Sequence, residues 1–291
     1  MKTARWAKVL IITLLVAVSG LVTTGPADAA YLISYQSPEI NITSTSGTDC
    51  HGSLTVDGES SLEQVWSCIR GPAGEIETYP AKVDQGRFNL SVPLRFGPGK
   101  YTIWAGKDSQ SFDGTIRFEV QNSSTDTRYT DPSGYVDSQN PEVAALAKSI
   151  AKPEYSQMEK LTAIHDWVAG NIEYDVVAYQ NGENKLTLAS ETIKNRKGMC
   201  RDYSFAVAAL ARASGLPTRI VYGEGVNPNG AAEKHAWNEV MIDGRWVSVD
   251  TTWDAGYVGP DGFVRSLSER YLDPDQELFN QTHRVTTLSL H

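Results

Sequence analysis

His235-Ala236-Trp237-Asn238-Glu239-Val240-Met241-Ile242, then Asp243-Gly244, then Arg245-Trp246-Val247-Ser248-Val249-Asp250 form the most legible unit of this 291-residue chain. Asp-Gly between two alternating apolar runs is a strong signal for a two-residue hairpin, because both turn residues must take positive φ. The turn sets the register. Ile242 faces Arg245, Val240 faces Val247 and Trp237 faces Asp250, so Val240, Ile242, Val247 and Val249 share an apolar face. His235 then lies one diagonal step from Asp250 on the other face. A slip of one residue would expose the valines and part the imidazole from the carboxylate.

Upstream, Gly198-Met199-Cys200-Arg201-Asp202-Tyr203 opens the run Phe205-Ala206-Val207-Ala208-Ala209-Leu210. A helix apolar nearly all round is a buried one. Ser214-Gly215-Leu216-Pro217 supplies its stop, and Thr218 to Tyr222 reads as a strand. Cys200 therefore falls in the first turn of a buried helix, where free N–H groups and the helix dipole favour a thiolate.

A thiol, an imidazole and a carboxylate so placed are the parts of a nucleophilic site. Cys200 would attack, His235 would act as base and later as proton donor, and Asp250 would fix the tautomer and stabilise the imidazolium. The backbone N–H of Cys200 is a natural oxyanion donor, with Tyr174, Asn171 and Trp167 as candidates for a second by reach. The purely structural alternative is a buried cysteine, a hydrogen-bonded histidine and a capping aspartate. Zinc lacks ligands in the sequence: no second cysteine or histidine stands at metal spacing near Cys200, and His283 is isolated. There is no EF-hand loop, and neither a metal nor a cofactor is expected.

Before this block the period is helical, with Val143, Leu146, Ala147 and Ile150 on one stripe and Leu161, Ile164, Val168 and Ile172 on another. Asn140 before Pro141-Glu142 is a suitable cap. His165, on the second helix, reads as a packing residue. Residues 123–140 are rich in Ser, Thr, Asp, Pro and Gly without sustained period and read as a linker, leaving 141–291 as the α+β part. Over residues 30–122 the pattern is alternation, as in Phe88/Leu90/Val92/Leu94 and Ile116/Phe118/Val120, broken at Asp57-Gly58, Gly97-Pro98-Gly99 and Asp113-Gly114. Short strands at that spacing suggest an all-β sandwich of immunoglobulin-like type. Cys50 and Cys68 lie within it. They either pair or remain two buried thiols, and both readings stand. Cys200 is left over in either case.

Residues 1–29 combine Lys2, Arg5 and Lys8 with an apolar run from Val9 to about Val22 and Ala27-Asp28-Ala29, the layout of a secretory signal peptide cleaved after Ala29. The apolar run is short for a membrane span. The expected product is secreted, without stable membrane insertion. A net charge of −9 without basic runs excludes an ordinary nucleic-acid binder.

Gly198-Met199-Cys200-Arg201-Asp202-Tyr203, Gly215-Leu216-Pro217-Thr218-Arg219-Ile220-Val221-Tyr222-Gly223, His235-Ala236-Trp237-Asn238-Glu239-Val240 and Trp246-Val247-Ser248-Val249-Asp250-Thr251-Thr252-Trp253-Asp254 together resemble the core blocks of the transglutaminase-like superfamily. The resemblance spans roughly 140–291 and implies a papain-like α+β fold, with the cysteine helix packed on an antiparallel sheet. It implies Cys200 as nucleophile, His235 as its histidine and Asp250 as the acidic third member. Trp237 and Trp253 match aromatics that recur in these blocks and pack around the site. Thr251 stands where many members have proline.

The resemblance implies attack on an amide carbonyl to leave a thioester, resolved by an amine to give transfer or by water to give hydrolysis. A thiol acyltransferase is the first expectation and a cysteine peptidase or amidase the second. A surface-binding protein that has lost catalysis is the third. The implied partner is a protein or peptide substrate, with an amine as acceptor in the transfer case.

Overall fold

The computed structural model describes residues 36–226 and 230–291. The leader expected over residues 1–29 and the first residues of the sandwich lie outside the described residues. No helix among the described residues is long and apolar enough to cross a membrane.

The alternating half forms β1 (Ile40–Thr45), β2 (Asp49–Cys50), β3 (Ser53–Ser60), β4 (Gln64–Arg70), β5 (Ile76–Lys82), β6 (Arg87–Pro93), β7 (Gly99–Gly106) and β8 (Ile116–Asn122). They make a three-stranded sheet, β1-β3-β6, and a five-stranded sheet, β2-β8-β7-β4-β5. Leu54, Val56, Leu90 and Val92 from the first share one core with Ile69, Ile103 and Phe118 from the second. That is what alternation predicts for two sheets face to face. Tyr101, buried at the start of β7, donates its hydroxyl to the Leu94 carbonyl at 3.0 Å and accepts from Phe96 N at 2.9 Å.

Cys50 and Cys68 are both free, buried thiols. They belong to β2 and β4, which are separated in the sheet by β8 and β7. Strands lie about 4.8 Å apart, so the two thiols are too distant to bridge. This corrects the disulfide left open by the sequence.

Helices follow: α1 (Pro141–Ile150) and α2 (Gln157–Asn171), then β9 (Glu173–Tyr174), α3 (Val176–Gln180), α4 (Ala189–Asn195), β10 (Lys197–Gly198) and α5 (Cys200–Ala213). Asn140 caps α1 by accepting from Glu142 N at 2.9 Å. Ser156 and Glu159 form a reciprocal capping box on α2, at 2.7 and 3.2 Å. After α5 come β11 (Thr218–Val226), β12 (Ala232–Ile242), β13 (Arg245–Val249), α6 (Thr251–Ala255), β14 (Gly256–Gly259), β15 (Gly262–Arg265), α7 (Gln276–Thr282) and β16 (His283–Leu288). An antiparallel sheet runs β13-β12-β11-β16.

α5 is sealed between this sheet and α1, α2 and α4: Phe205 through Ala211 are buried without exception. Seven consecutive apolar residues cover every side of that part of the helix, so it is buried all round. The hairpin has the expected register, with Ile242 opposite Arg245 and Val240 opposite Val247. Asp243 and Gly244 both take positive φ, 48° and 85°. Val240, Ile242, Val247 and Val249 are buried in the same cluster as α5.

Residues 123–140 depart from the expected loose linker. Ser133, Gly134, Tyr135 and Val136 are buried, and Tyr135 stacks on Phe205 of α5 with centroids 5.9 Å apart. From the β half, Trp66 reaches within 6.5 Å of the Tyr135 ring. Gly134 N donates to Glu77 Oε1 at 2.9 Å, and Glu77 holds Arg95 at 2.8 Å with both side chains fully buried. On the other side, Arg212 of α5 donates to the Asp131 carbonyl at 3.0 Å. Tyr129, Tyr135 and Val136 in a polar run give too little period to read, but hydrogen bonds from both sides and the ring contacts of Tyr135 bury residues 133–136.

Candidate active site

Cys200 is the first residue of α5, half-buried at its N-terminus. The turn is set by Met199, whose N–H donates to Asp202 Oδ2 at 2.8 Å while its carbonyl accepts from Asp202 N and Tyr203 N at 2.9 and 3.0 Å. The first N–H groups of such a helix have no partner within it and carry the positive end of its dipole.

His235 lies on β12 opposite Gly223 of β11. The alternation Gly223-Glu224-Gly225 leaves a floor without side chains on that face. A Cβ at Gly225 would stand 2.8 Å from the Trp253 ring and 3.2 Å from His235 Cγ, and one at Gly223 would stand 2.7 Å from the Trp237 ring. These glycines are where other side chains come down onto the strand.

Asp250 follows β13 and caps α6: its Oδ1 accepts from Thr252 N at 3.0 Å and Trp253 N at 3.2 Å. Its Oδ2 lies 2.7 Å from His235 Nε2, and the carboxylate is fully buried. Burial works against the charge on His235, but Asp250 outweighs it, with help from the Cys200 thiol, and the imidazole pKa is pushed up to about 10. Burial likewise opposes the carboxylate, yet His235 and His283 hold its pKa below the usual range. With Nε2 committed to Asp250, Nδ1 is the ring nitrogen left for the Cys200 thiol, which helps to raise the pKa of the ring.

Of the residues considered as second oxyanion donors, Tyr174 is brought to the thiol. It pairs with Gly198 in the β9–β10 ladder, and burial together with the nearby Cys200 raises its phenol pKa well above the usual value. Asn171 and Trp167 have other partners. Asn171 is exposed and donates to the Trp167 carbonyl at 2.8 Å, while Trp167 lies under the Arg196 guanidinium, 4.4 Å from ring centroid to Cζ. Both belong to the last turns of α2, and Ile172 then leads the chain in extended conformation into β9. Trp253 covers His235 with ring centroids 5.2 Å apart, and Trp237, almost wholly buried, lies behind it at 6.1 Å. On the open side, Tyr179 of α3 donates to Glu233 Oε2 of β12 at 2.8 Å.

Two groups escaped sequence reasoning. His283, expected to be isolated, lies with Nε2 3.1 Å from Asp250 Oδ2 and is fully buried in its side chain. Only the pairing of β16 with β11, which sets His283 opposite Gly225, brings it there. His165, expected to pack without a partner, has Nε2 3.0 Å from Asp254 Oδ2 and Nδ1 3.0 Å from Asp166 Oδ1. Burial opposes its charge and the two carboxylates raise its pKa. Asp254 also accepts from Tyr271 N at 2.9 Å, and Tyr271 returns its carbonyl to Asp250 N at 3.0 Å. α6 is thereby tied to α2 beneath the site.

His235, Asp250 and His283 put three ligand-type atoms within 4.8 Å of one another. Their separations of 2.7 and 3.1 Å are those of shared protons, so a metal ion would have to replace both hydrogen bonds.

The transglutaminase-like superfamily model matches residues 144–251. Kyphoscoliosis peptidase of Mus musculus is 28% identical over 148 residues, which is 47% of this chain and 22% of that protein. The chain thus spans about a fifth of the length of that curated relative. Among solved structures, a cysteine-protease candidate from Cytophaga hutchinsonii is 20% identical, covering 89% of this chain and 80% of its own at a TM-score of 0.38. The periplasmic domain of TgpA from Pseudomonas aeruginosa is 19% identical, covering 71% and 74% at a TM-score of 0.34. The blocks around Cys200, His235 and Asp250 thus lie within a matched stretch: residues 144–251 are a domain of the transglutaminase-like superfamily.

Proposed function

We propose that this protein is an exported thiol enzyme that transfers the acyl group of an amide through Cys200, His235 and Asp250. The observation that carries the reading is the 2.7 Å contact from His235 Nε2 to the buried Asp250, with the same ring coupled to a thiol at the N-terminus of α5. The Cys200 thiolate attacks the amide carbonyl, forming a carbon–sulfur bond and an oxyanion. The Cys200 N–H and the adjacent Tyr174 hydroxyl are the groups available to that oxyanion. Collapse breaks the carbon–nitrogen bond, and the leaving nitrogen takes the proton from the His235 imidazolium. A thioester and a neutral imidazole remain. An incoming amine or water then gives its proton to His235 as it attacks, and the thiolate is released. Asp250 keeps the ring in the tautomer and orientation that serve both halves.

Hydrolysis is the second reading, favoured by the likeness to a relative that carries the name peptidase. An intact Cys-His-Asp constellation speaks against a binding protein without catalysis. Export rests on the leader-like sequence of residues 1–29. An immunoglobulin-like class for the β half is supported by its two sheets and by the Tyr101 hydroxyl folded back on the Leu94 carbonyl. Its packing against the Tyr135 segment supports a role as a fixed support of the catalytic half.

The test is incubation with a glutamine-containing casein and a fluorescent primary amine, with ammonia and fragments followed in parallel. Amine incorporation supports transfer and fragments support peptidase action. Equal signals from wild type and Cys200→Ala would refute the proposal.

A further inference from the structure

We infer that His283 is a fourth member of the site, a positioning residue that acts on catalysis by holding Asp250. The inference rests on the acyl-transfer reading and extends it to a residue outside the matched stretch, 144–251.

Asp250 Oδ2 receives two imidazoles at once, His235 Nε2 at 2.7 Å and His283 Nε2 at 3.1 Å, while Oδ1 takes two backbone N–H groups of α6. The carboxylate oxygen only accepts, so both Nε2 atoms carry protons. The second donor does two things. It fills the other lone pair of the oxygen that faces His235 and so fixes the carboxylate about its long axis. It also draws charge from that oxygen, which tempers the stabilisation Asp250 gives the His235 imidazolium and leaves the proton on Nδ1, the nitrogen that faces the thiol, easier to give to a leaving group.

His283 is itself held more firmly than packing alone would demand. Its ring stacks on Phe279 at 3.9 Å and 8°, stands edge-on to Trp237 at 5.1 Å and meets Trp253 at 4.6 Å. Nδ1 is 2.9 Å from Thr282 Oγ1, which completes its hydrogen bonding. The titratable groups around it are Asp250, His235 at a ring separation of 5.7 Å and Tyr271 at 5.5 Å. A buried imidazole with one nitrogen on a hydroxyl and the other on the catalytic carboxylate is placed to serve that carboxylate.

The experiment compares His283→Phe, which keeps the aromatic stack without a donor, His283→Gln, whose amide N–H can reach where Nε2 stood, and His283→Asn, whose amide is too short. Single-turnover acylation is followed against pH, with thermal melts as a control on folding. For the Phe and Asn variants the expected result is a fall in kcat of about tenfold or more, the loss of one hydrogen bond to a charged group. KM should be nearly unchanged, and the alkaline limb should move to higher pH as His235 is held more tightly by Asp250. The Gln variant restores both. A purely structural role would lower the melting temperature and the active fraction without moving the limb. If Phe does not fold, the Gln and Asn pair decides: equal kcat and coincident limbs overturn the inference. Wild-type acylation by Cys200→Ala would instead overturn the reading on which it rests.

Discussion

His235 Nε2 and Asp250 Oδ2 lie 2.7 Å apart although the two residues are not ladder partners: the β12–β13 ladder ends with Asn238 opposite Val249. The diagonal gap is closed because Asp250 leaves the strand to cap α6, which turns its carboxylate back toward the sheet. The residue that ends one element and starts the next thus carries the contact on which the site depends.

The floor beneath His235 is a first point of attack. Gly225→Ala would put a Cβ 2.8 Å from the Trp253 ring and 3.2 Å from His235 Cγ. Trp253 and His235 must then shift, and turnover should fall by at least about tenfold, since an angstrom of misplacement can cost a hundredfold. Gly244→Ala is the control. Nothing lies within 4 Å of that position, so only the positive φ of 85° is penalised, at about 1–2 kcal/mol of stability, with turnover per folded molecule retained. Melting curves and activity together check this pair; equal activity of Gly225→Ala and wild type would contradict it.

Thiol chemistry should single out Cys200. Burial raises the pKa of Cys50, with a contribution from Asp49, and burial raises that of Cys68. Brief iodoacetamide treatment of the native protein should label Cys200 alone, and denaturation without reductant should expose all three thiols. Labelling of Cys50 or Cys68 before Cys200 in peptide mass spectra would count against the nucleophile. Failure of Cys50 and Cys68 to label after denaturation would count against the sheet order that separates them.

Much of this was legible because the hairpin and α5 obey strong local rules. Asp243-Gly244 allows one register, and the run Phe205 to Leu210 permits only burial, so the neighbourhood of Cys200, His235 and Asp250 followed from short segments. What was not legible depends on distant pairing. His283 carries no periodic signal and reaches Asp250 only because β16 adds to β11, and His165 meets Asp254 through the packing of α2 on α6. Cys50 and Cys68 are near in sequence, yet the five-stranded order puts two strands between them. Tyr135 and Val136 sit in a run whose composition is that of a loop, and their burial comes from groups on both sides, Trp66 and Glu77 on one and Phe205 on the other.

Stability should depend on pH in a defined window. The pKa values of His235 and His165 are raised by their carboxylates against burial, so their contribution is complete below the ordinary histidine value of about 6.5 and is lost as pH rises, for His235 through about 10. Glu77 behaves in the opposite sense. Burial opposes its charge, but Arg95 and His291 bring its pKa down to about 2, so its contribution is present above the ordinary value of about 4.3 and is lost as pH falls through about 2. Melting temperature should be highest between about pH 4 and 6.5 and decline toward pH 10. The alkaline decline should be shallower in His165→Gln. A flat profile from pH 6 to 10 would refute this assignment of charges.

The packing of residues 133–136 can be broken from a distance. Glu77→Ala leaves Arg95 buried without its partner and removes the acceptor for Gly134 N, which should cost about 3–5 kcal/mol. Wild type should melt in one transition and resist proteolysis at 133–136. The variant should melt earlier and be cut there. Ready cleavage of the wild type within those residues would restore the loose linker.

The most direct measurement of the central claim is single-turnover acylation followed by intact-protein mass, with the adduct mapped to its residue, in wild type and Asp250→Asn. The asparagine is nearly isosteric and keeps an oxygen for the N–H groups of Thr252 and Trp253, so the fold should be little changed. It can turn the wrong group to His235 and cannot balance its charge, at a cost of up to about 10⁴ in rate. The account predicts an acyl adduct on Cys200 in wild type and its near disappearance on the same timescale in a folded Asp250→Asn. An adduct elsewhere, or acylation of Asp250→Asn at the wild-type rate, would contradict it.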